Sequence, residues 1–381
     1  MNKKRMLVLS YGNFPNGDAS SIRLDCLTTL MKNAGFEIYI VSMARIEPNT
    51  WIDYNGKKYI SIRSTSGSII KRLGNVLGYK QRVKKIIDDL GKVDALFLAS
   101  APLECFIYFE RYAKSNDIQL YADRTEWYSP NEFKFGKLHP TYWANITINK
   151  KLIDRQWKVI SISKYFESYY TSKGINTTRI PAIMDTQGIA KWEANDSQKI
   201  TVVYAGSPAK KDSLNLIVEG YKCLDDKYKD KIHLKVIGVS EGQYRELYGE
   251  TEEILGVQFL GRVSRETVLS NLEHADFSTL MRDNTARFAK AGFPSKVAES
   301  LSVGIPMITN FTSDLELYLK DGSNSIIVED YSAEAYCRAL IRASELSGEV
   351  IEKMHINARK TAEEVFDYRN YSDAVCRLIS D

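Results

Sequence analysis

The feature that most constrains the fold is an alternation of short apolar strands and amphipathic helices, which runs along the first half of the chain and starts again near residue 200. The first run opens with the apolar strand Arg5–Ser10, and the second opens with Ile200–Ala205. Strands that alternate with helices of ordinary length indicate parallel sheets with helices on both faces. The sequence therefore predicts an α/β protein with two doubly wound, Rossmann-like parallel-sheet domains.

The restart of the pattern also predicts the domain limits. The chain has 381 residues, which is more than one ordinary hydrophobic core supports. The polar stretch Ala190–Gln198 is the expected hinge. We therefore expect an N-terminal domain over residues 1–192, a second domain over 193–366, and a last amphipathic helix within 367–381.

Charge is distributed unequally between the two halves. Residues 1–192 carry 29 Lys and Arg against 17 Asp and Glu, whereas residues 193–381 carry 23 against 31. Such an asymmetry indicates two separate bodies that meet different partners. The basic half is the one expected to meet an anionic surface or acceptor.

The cysteines, histidines and apolar segments argue against several classes of protein. The five cysteines lie far apart without a Cys-x-x-Cys pair, so neither a disulfide framework nor a zinc site is expected. The four histidines show no metal-ligand spacing. No Gly-x-Gly-x-x-Gly follows either opening strand, which argues against a dehydrogenase. The apolar runs are too short for a signal peptide or a membrane span, and we expect a cytoplasmic protein.

One segment of the second half has the residues of an anion-binding helix start. Pro294 suits the first helical position, where its missing N–H would be unpaired in any case. The exposed N–H groups of such an end, together with Lys296 in the first turn, favour a phosphate. Glu299 lies on the same helix face and can accept hydrogen bonds from ribose hydroxyls. Gly304 is expected to end the helix. From the pattern alone, an ordinary surface helix with Lys–Glu pairing remains an alternative.

This segment resembles the donor-site motif of family 4 glycosyltransferases, which are retaining enzymes of the GT-B fold. In that family two glutamates, separated by seven residues, precede a Gly-x-Pro turn. Glu299 matches the second glutamate, and Val303–Thr309 matches the turn. The position of the first glutamate, which touches the donor sugar in the family, is Ala291. The resemblance implies two Rossmann-like domains that face a central cleft, with the C-terminal helix crossing back to the first domain.

Other positions follow the family order. The loop after strand Ile200–Ala205 resembles the family's glycine loop, where an arginine and a lysine hold the diphosphate; Lys211 matches the lysine, and Ser207 stands in place of the arginine. Arg282 follows a later strand and is expected to supply the missing charge. The donor-binding residues that the resemblance implies are Gly12, Gly17, Gly206, Ser207, Lys211, Arg282, Gly292, Phe293, Pro294, Ser295, Lys296 and Glu299, with Lys211 and Arg282 also acting in catalysis.

The first half resembles the family more loosely. The loop 12–23, with Gly12 and Gly17, sits where relatives have a glycine-containing loop, and Ser20 or Ser21 is expected to cap the helix behind it. The family's histidine near the reacting carbon has no counterpart. Asp123 or Glu126 stands in the comparable stretch and is a candidate base for the acceptor hydroxyl. The alternative is that these two carboxylates hold the loop by hydrogen bonds.

The resemblance implies sugar transfer from a nucleoside-diphosphate sugar to a glycan or a lipid-linked glycan, in cell-surface polysaccharide biosynthesis and with retention. No cofactor and no metal are expected, because Lys211, Arg282, Lys296 and helix N–H groups are expected to neutralise the diphosphate. Two alternatives remain open. One is a nucleotide-sugar epimerase of the same fold, and the other is a degenerate subunit that binds nucleotide sugar without turnover.

A basic segment over residues 69–87 suggests a second partner. It contains no acidic residue, and apolar residues recur at roughly helical spacing between its cations, Lys71, Arg72, Lys80, Arg82, Lys84 and Lys85. We expect it to contact the anionic inner face of the plasma membrane. The alternative is a solvated basic helix face with buried aliphatic residues. Nucleic acid is not an expected partner, because no binding motif is present.

Overall fold

The computed structural model describes residues 3–15, 18–44, 49–63, 78–194, 199–206, 211–251 and 253–380. The chain divides into two compact units, Met1–Met184 with Tyr368–Asp381, and Asp185–Asp367. The division therefore falls after Met184, whereas the sequence suggested residue 192. The reason is local packing. The Trp192 amide donates to the Val303 carbonyl over 2.7 Å, which ties the expected hinge to the second unit as far as residue 194.

The first unit is an eight-stranded sheet flanked by helices. Its strands are β1 (Lys4–Leu9), β2 (Phe36–Ser42), β3 (Trp51–Tyr54), β4 (Lys57–Ser61), β5 (Ala95–Leu98), β6 (Gln119–Arg124), β7 (Trp157–Ser161) and β8 (Asn176–Arg179). Its helices in this part of the chain are α1 (Ala19–Asn33), α2 (Tyr79–Leu90), α3 (Leu103–Ser115), α4 (Pro140–Thr147) and α5 (Lys164–Ser172). A π-helical turn, Ile148–Leu152, follows α4.

The strand order in this sheet is β3-β4-β2-β1-β5-β6-β7-β8, and only β3 is antiparallel to its neighbour. The β3–β4 hairpin turns at Asn55 and Gly56, which both have positive φ, as the Asn-Gly pair in the sequence predicts. The chain winds outward in both directions from β1, so the switch point lies between β1 and β5. The carboxyl ends of these strands form the edge where a ligand is expected.

The second unit is a six-stranded, all-parallel sheet. Its strands are β9 (Ile200–Ala205), β10 (Ile232–Ile237), β11 (Val257–Gly261), β12 (Phe277–Leu280), β13 (Met307–Thr309) and β14 (Ser325–Ile327), in the order β11-β10-β9-β12-β13-β14. Its helices are α6 (Leu214–Lys222), α7 (Asp226–Lys229), α8 (Glu241–Tyr248), α9 (Arg265–Glu273), α10 (Arg287–Ala291), α11 (Ser295–Val303), α12 (Ala333–Ser344) and α13 (Gly348–Thr361). The doubly wound α/β architecture that the sequence predicts is confirmed in both units.

The last helix, α14 (Ser372–Ser380), packs on the first unit. Val375 and Leu378 are buried in the same apolar core as Leu27 and Met31 of α1. The Lys158 ammonium of β7 donates to the Ile379 carbonyl over 2.7 Å. The C-terminal helix therefore completes the core of the domain in which the chain begins, as the GT-B resemblance implies.

Two local expectations from the sequence are wrong. The residue that caps α1 is Asp18, whose carboxylate accepts from the Ser21 amide over 2.8 Å, and not Ser20 or Ser21. Pro294 is the cap residue of α11, which begins at Ser295, so the proline is not the first helical residue. Both differences shift a helix start by a residue or two, which is the part of a helix that patterns fix least well.

Helix α2 covers the described part of the basic segment, because residues 69–77 lie outside the described ranges. Its apolar residues Tyr79, Val83, Ile86 and Ile87 are buried in the first unit. Only the basic face is in contact with solvent, so these aliphatic side chains cannot enter a bilayer. For residues 78–87 this burial favours the alternative, a solvated basic face, and the expected contact of the segment with the membrane surface stays a prediction. Among the described residues, no helix is both long and apolar enough to span a membrane.

A buried ion pair joins three elements of the first unit. The Arg23 guanidinium of α1 donates to both oxygens of the Asp123 carboxylate at the end of β6, each over 2.8 Å. The same guanidinium donates to the Ile180 carbonyl over 3.1 Å, beyond the end of β8. Both side chains are almost fully buried. A buried carboxylate depends on such partners, because desolvation without them is costly.

We predict that Arg23→Met lowers the free energy of unfolding of this unit by about 3–5 kcal/mol, because it leaves the Asp123 carboxylate buried and unpaired. Four of the five tryptophans, Trp51, Trp127, Trp143 and Trp157, lie in this unit, so urea unfolding followed by tryptophan fluorescence measures the effect. The control is the double variant Arg23→Met/Asp123→Leu, in which no charge remains buried and most of the loss should be recovered. A single variant that unfolds like the wild type would contradict the prediction.

His355 of α13 holds the carboxyl end of α11. Its Nδ1–H donates to the carbonyl of Gly304 over 2.8 Å, and its ring stacks on Trp192 with centroids 3.8 Å apart. Gly304 ends α11 with a left-handed φ of 99°, as its position predicts, and this conformation disfavours any residue with a Cβ. Burial lowers the pKa of His355 from 6.5 to about 4.

This pKa shift predicts a pH-dependent stability. Between pH 6.5 and 4 the unfolded chain takes up a proton on His355 that the folded protein does not bind, so the free energy of unfolding falls as the pH is lowered through this window. The His355 contribution amounts to about 3 kcal/mol. Urea unfolding followed by circular dichroism at pH 7.5 and pH 4.5 should show a smaller fall in His355→Gln than in the wild type. Equal falls in both proteins would refute the assignment.

Candidate functional site

The switch point of the second sheet brings together the residues that the sequence singled out. Strand β9 is the first strand of this sheet and lies between β10 and β12. Gly206 follows β9, Arg282 follows β12, and Asn310 follows β13. The carboxyl ends of parallel strands lie at one edge, and ligands of doubly wound sheets bind where the strand order reverses. Helix α11, with Lys296 in its first turn, starts at this edge.

The centre of the site is the carboxylate of Asp212. The Arg282 Nε donates to Asp212 Oδ1 over 2.8 Å, and the Lys296 ammonium donates to Oδ2. The Tyr204 hydroxyl donates to Oδ2 over 3.2 Å and lies 3.3 Å from the Lys296 nitrogen. Asp212 is only 4% exposed. Two cations from different parts of the chain therefore converge on one buried anion.

Backbone and glycine contacts fix the two cations. The Arg282 amide donates to the Asn310 side-chain oxygen over 3.1 Å, and the Asn310 amide group donates to the Arg282 carbonyl over 2.8 Å. The Lys296 ammonium packs directly against Gly206, and a Cβ at that position would overlap it. The glycine after β9 therefore leaves the space that the Lys296 ammonium occupies. The cap residue of α11, Pro294, makes no side-chain cap hydrogen bond.

Burial and charge set the ionisation of the site. Burial on its own would raise the pKa of Asp212, but Lys296 and Arg282 hold this pKa below its ordinary value. Burial lowers the pKa of Lys296, and Asp212 opposes part of that shift. Burial and the neighbouring Asp212 raise the pKa of Tyr204 far above its usual range. The Asp212 carboxylate is therefore ionised at neutral pH, and the Tyr204 phenol is neutral.

Glu299 lies one turn further along α11, apart from the Asp212 cluster. Its Oε1 is 4.0 Å from an Arg265 guanidinium nitrogen, and the carboxylate is partly exposed. Burial raises the pKa of Glu299, although Arg265 and Lys296 oppose the shift. Glu299 therefore retains an open side toward solvent, as a hydroxyl-binding residue requires.

Side chains of the segment before α11 are buried in the second unit. Ala291 ends α10 and is fully buried, and Phe293 packs in an aromatic group with Tyr318 and Phe366, with ring centroids 5.6–5.9 Å apart. The side chains at these two positions face the protein interior. The Gly292 amide between them donates to the Phe288 carbonyl over 2.9 Å.

Lys211 and Ser207 are further candidate residues of the second unit. Lys211 immediately precedes Asp212 and is half-buried, with its ammonium 5.9 Å from the ring centroid of Phe288. Its assignment to the diphosphate stays a prediction. Ser207 and, in the first unit, Gly17 lie outside the described residues.

In the first unit, Asp123 and Glu126 have different environments. Both oxygens of Asp123 accept from Arg23, which favours the loop-holding alternative for this carboxylate. Glu126 is partly exposed, and its carboxylate is hydrogen-bonded to the Tyr128 hydroxyl, whose pKa is raised chiefly by burial. Gly12 lies at the switch point of the first sheet, where its carbonyl accepts from the Met43 amide over 2.9 Å. Of the two carboxylates, Glu126 is the one that retains access to solvent.

Sequence reasoning missed Asp212, Tyr204 and Asn310. Asp212 was visible only as the residue after Lys211, and nothing in the pattern linked it to Lys296, which lies 84 positions later. Tyr204 falls within the predicted strand Ile200–Ala205, and Asn310 at the end of the predicted strand Pro306–Asn310. A search for polar residues at the carboxyl ends of the central strands would have found Tyr204 and Asn310, but not Asp212.

Three comparisons place this geometry among known proteins. The family model described as glycosyl transferases group 1 matches residues 186–361, which include Asp212, Arg282, Lys296 and Glu299. An uncharacterized glycosyltransferase of Methanocaldococcus jannaschii is 24% identical over 251 residues, which are 63% of this chain and 61% of that relative. The chain thus aligns with about three fifths of that relative's length.

Solved glycosyltransferases share the fold over the whole chain. Sucrose-phosphate synthase from Thermosynechococcus elongatus has a TM-score of 0.75 at 13% identity, with 99% of this chain and 98% of that chain covered. HepE of Anabaena, in complex with UDP and glucose, has a TM-score of 0.69 at 13% identity over 100% of both chains. WaaG, a glycosyltransferase involved in lipopolysaccharide biosynthesis, has a TM-score of 0.64 at 13% identity over 98% and 99%. The family match therefore lies in the second unit, and both units have the fold of these solved glycosyltransferases, the GT-B fold.

Proposed function

We propose that the protein transfers a sugar, with retention, from a nucleoside-diphosphate sugar to a glycan or lipid-linked glycan in cell-surface polysaccharide biosynthesis. The observation that carries the donor assignment is the convergence of Lys296 and Arg282 on Asp212 at the start of an uncapped helix. A diphosphate offers the same cations several anionic oxygens and can also accept from the helix N–H groups. Two similar structures support the proposal, HepE with bound UDP and glucose, and WaaG of lipopolysaccharide biosynthesis.

The proposed chemistry places the cations at the leaving group. Breaking the bond between the sugar and the diphosphate adds negative charge to the leaving phosphate, and fixed cations stabilise that state. Lys296 and Arg282 are fixed by their contacts with Gly206 and Asn310, so little reorganisation is needed. In the retaining mechanism that the family resemblance implies, the leaving phosphate helps to remove the proton of the acceptor. Glu126 is the proposed residue that orients the acceptor hydroxyl.

The donor assignment predicts the effect of two substitutions. Lys296→Ala and Arg282→Ala should each weaken binding of UDP and UDP-glucose roughly tenfold to a hundredfold, because each removes a charge-assisted contact with phosphate. Isothermal titration calorimetry measures the affinity, and acceptor-dependent release of nucleoside diphosphate measures turnover. The matched control is Lys290→Ala, since Lys290 is an exposed lysine in the last turn of the neighbouring α10.

The outcomes of this experiment separate the alternatives. Unchanged donor affinity in both variants would overturn the site. With a panel of nucleotide sugars, acceptor-dependent nucleotide release supports transfer, whereas interconversion of the sugar would indicate an epimerase. Donor binding without either reaction would indicate a subunit that has lost turnover.

The position of Asp212 predicts that its substitution changes the affinity for the donor and the affinity for the nucleoside-diphosphate product by different factors. A nucleoside-diphosphate sugar carries about two negative charges, and the released diphosphate carries about three near neutral pH. The buried Asp212 carboxylate lowers the positive potential at Lys296 and Arg282, and this disfavours the more highly charged product most. Asp212→Asn should therefore tighten UDP binding by about tenfold and UDP-glucose binding by less. Calorimetry with both ligands measures the ratio. Equal weakening of both would show instead that Asp212 chiefly positions the cations.

A further inference from the structure

Exposed apolar side chains are concentrated in one short stretch of the first unit. Phe135, Leu138 and Trp143 are 65%, 83% and 55% exposed and lie within nine consecutive residues. Single exposed apolar residues are normal on a protein surface, whereas a cluster of large ones marks an interaction site. The cluster lies on the turn Gly136–Leu138 and on the first turn of α4.

The stretch is held in place by its buried side. Tyr142 and Asn145 of α4 are buried, and the Asn145 side chain donates to the Glu126 carbonyl over 3.0 Å and accepts from the Tyr128 amide over 3.2 Å. Phe133 stacks on His139 with ring centroids 4.3 Å apart. Trp143 therefore projects from an anchored helix. The same anchor connects the stretch to the loop that carries Glu126.

The charged side chains within residues 133–153 have one sign. Residues 133–153 contain no Asp or Glu, and their four lysines, Lys134, Lys137, Lys150 and Lys151, are all exposed. Within the described ranges, these lysines take part in no ion pair with a side chain of the protein. Exposed aromatic and aliphatic residues flanked by lysines are the composition of an element that lies in a membrane interface. Helix α2 lacks this composition on its surface, because its apolar residues are buried.

We propose that Phe135, Leu138 and Trp143, with Lys134, Lys137, Lys150 and Lys151, form a docking surface for an anionic lipid bilayer. We call these seven residues the lipid-facing surface. The three apolar side chains enter the boundary between headgroups and acyl chains, while the lysines attract anionic headgroups. Glu126, to which the surface is anchored, then meets acceptors presented at the bilayer. This assignment rests on the proposed function in one respect, namely that the acceptor is lipid-linked.

Vesicle binding by the full-length protein tests the surface. The wild type should co-sediment at low salt with vesicles of phosphatidylglycerol and phosphatidylcholine, and less with phosphatidylcholine alone. The triple variant Phe135→Ser/Leu138→Ser/Trp143→Ser should bind at least about tenfold more weakly, because it removes the apolar area that enters the bilayer. The matched control is Leu247→Ser/Leu255→Ser/Ile356→Ser, which replaces three apolar residues of comparable exposure in the second unit.

A second readout locates the contact. Bound vesicles should shift Trp143 fluorescence to the blue, and brominated lipids should quench it, with both effects lost in Trp143→Phe. Trp127 and Trp157 are buried and should not respond. Failure of the wild type to bind anionic vesicles, or equal binding by the triple variant, would overturn the lipid-facing surface. A dimer in solution that the triple variant dissociates would overturn it as well, in favour of a protein interface.

Nucleotide binding by the triple variant tests the proposed function separately from the lipid-facing surface. In the triple variant, affinity for UDP and UDP-glucose should remain that of the wild type, since the substitutions lie in the first unit and the donor cluster in the second. Loss of vesicle binding with intact donor binding supports the surface. Vesicle binding in a protein that fails to bind any nucleotide sugar would refute the donor proposal and leave the surface standing.

Discussion

The interaction on which the donor site depends is the contact of Asp212 with Lys296 and Arg282. It joins the end of β9, the end of β12 and the start of α11, which are distant in sequence and meet only through the strand order of the sheet. Without the carboxylate, two cations that share one buried partner would repel each other in a partly buried place, and this repulsion would oppose folding. The carboxylate thus holds the two cations of the proposed donor site together.

The carboxyl end of α11 is also held by contacts with its surroundings. These contacts matter because the start of a helix can be placed accurately only if the whole helix is held. Gly304 ends the helix in a left-handed conformation, and His355 binds its carbonyl from α13. Burial keeps this imidazole neutral at physiological pH. Lys296 is therefore positioned by contacts at both ends of a nine-residue helix.

Much of the fold was predictable because it depends on local patterns. The alternation of strands and helices, the Asn55–Gly56 hairpin and the end of α11 at Gly304 each follow from the conformational preferences of nearby residues. The placement of Lys296 and Arg282 at one edge of the sheet also followed, since helix starts and strand ends meet there in a doubly wound sheet, and their role in a donor site stays a prediction. The partnership with Asp212 did not, because it is set by which strands are neighbours. The bidentate pair of Arg23 and Asp123 escaped for the same reason, as did the burial of the apolar face of α2.

Ala291 divides the proposed donor site into a part for the phosphates and a part for the sugar. The proposed phosphate-binding part consists of the cations and the helix start, which fit both helix-end physics and the family pattern. The position where the family pattern has a sugar-binding glutamate holds a fully buried alanine at the end of α10. A carboxylate there would have to be buried or would have to move α10, so the alanine is part of the packing and not a simple gap. The proposed binding of the diphosphate therefore does not depend on a glutamate at this position, and the proposed donor sugar would be held by other contacts.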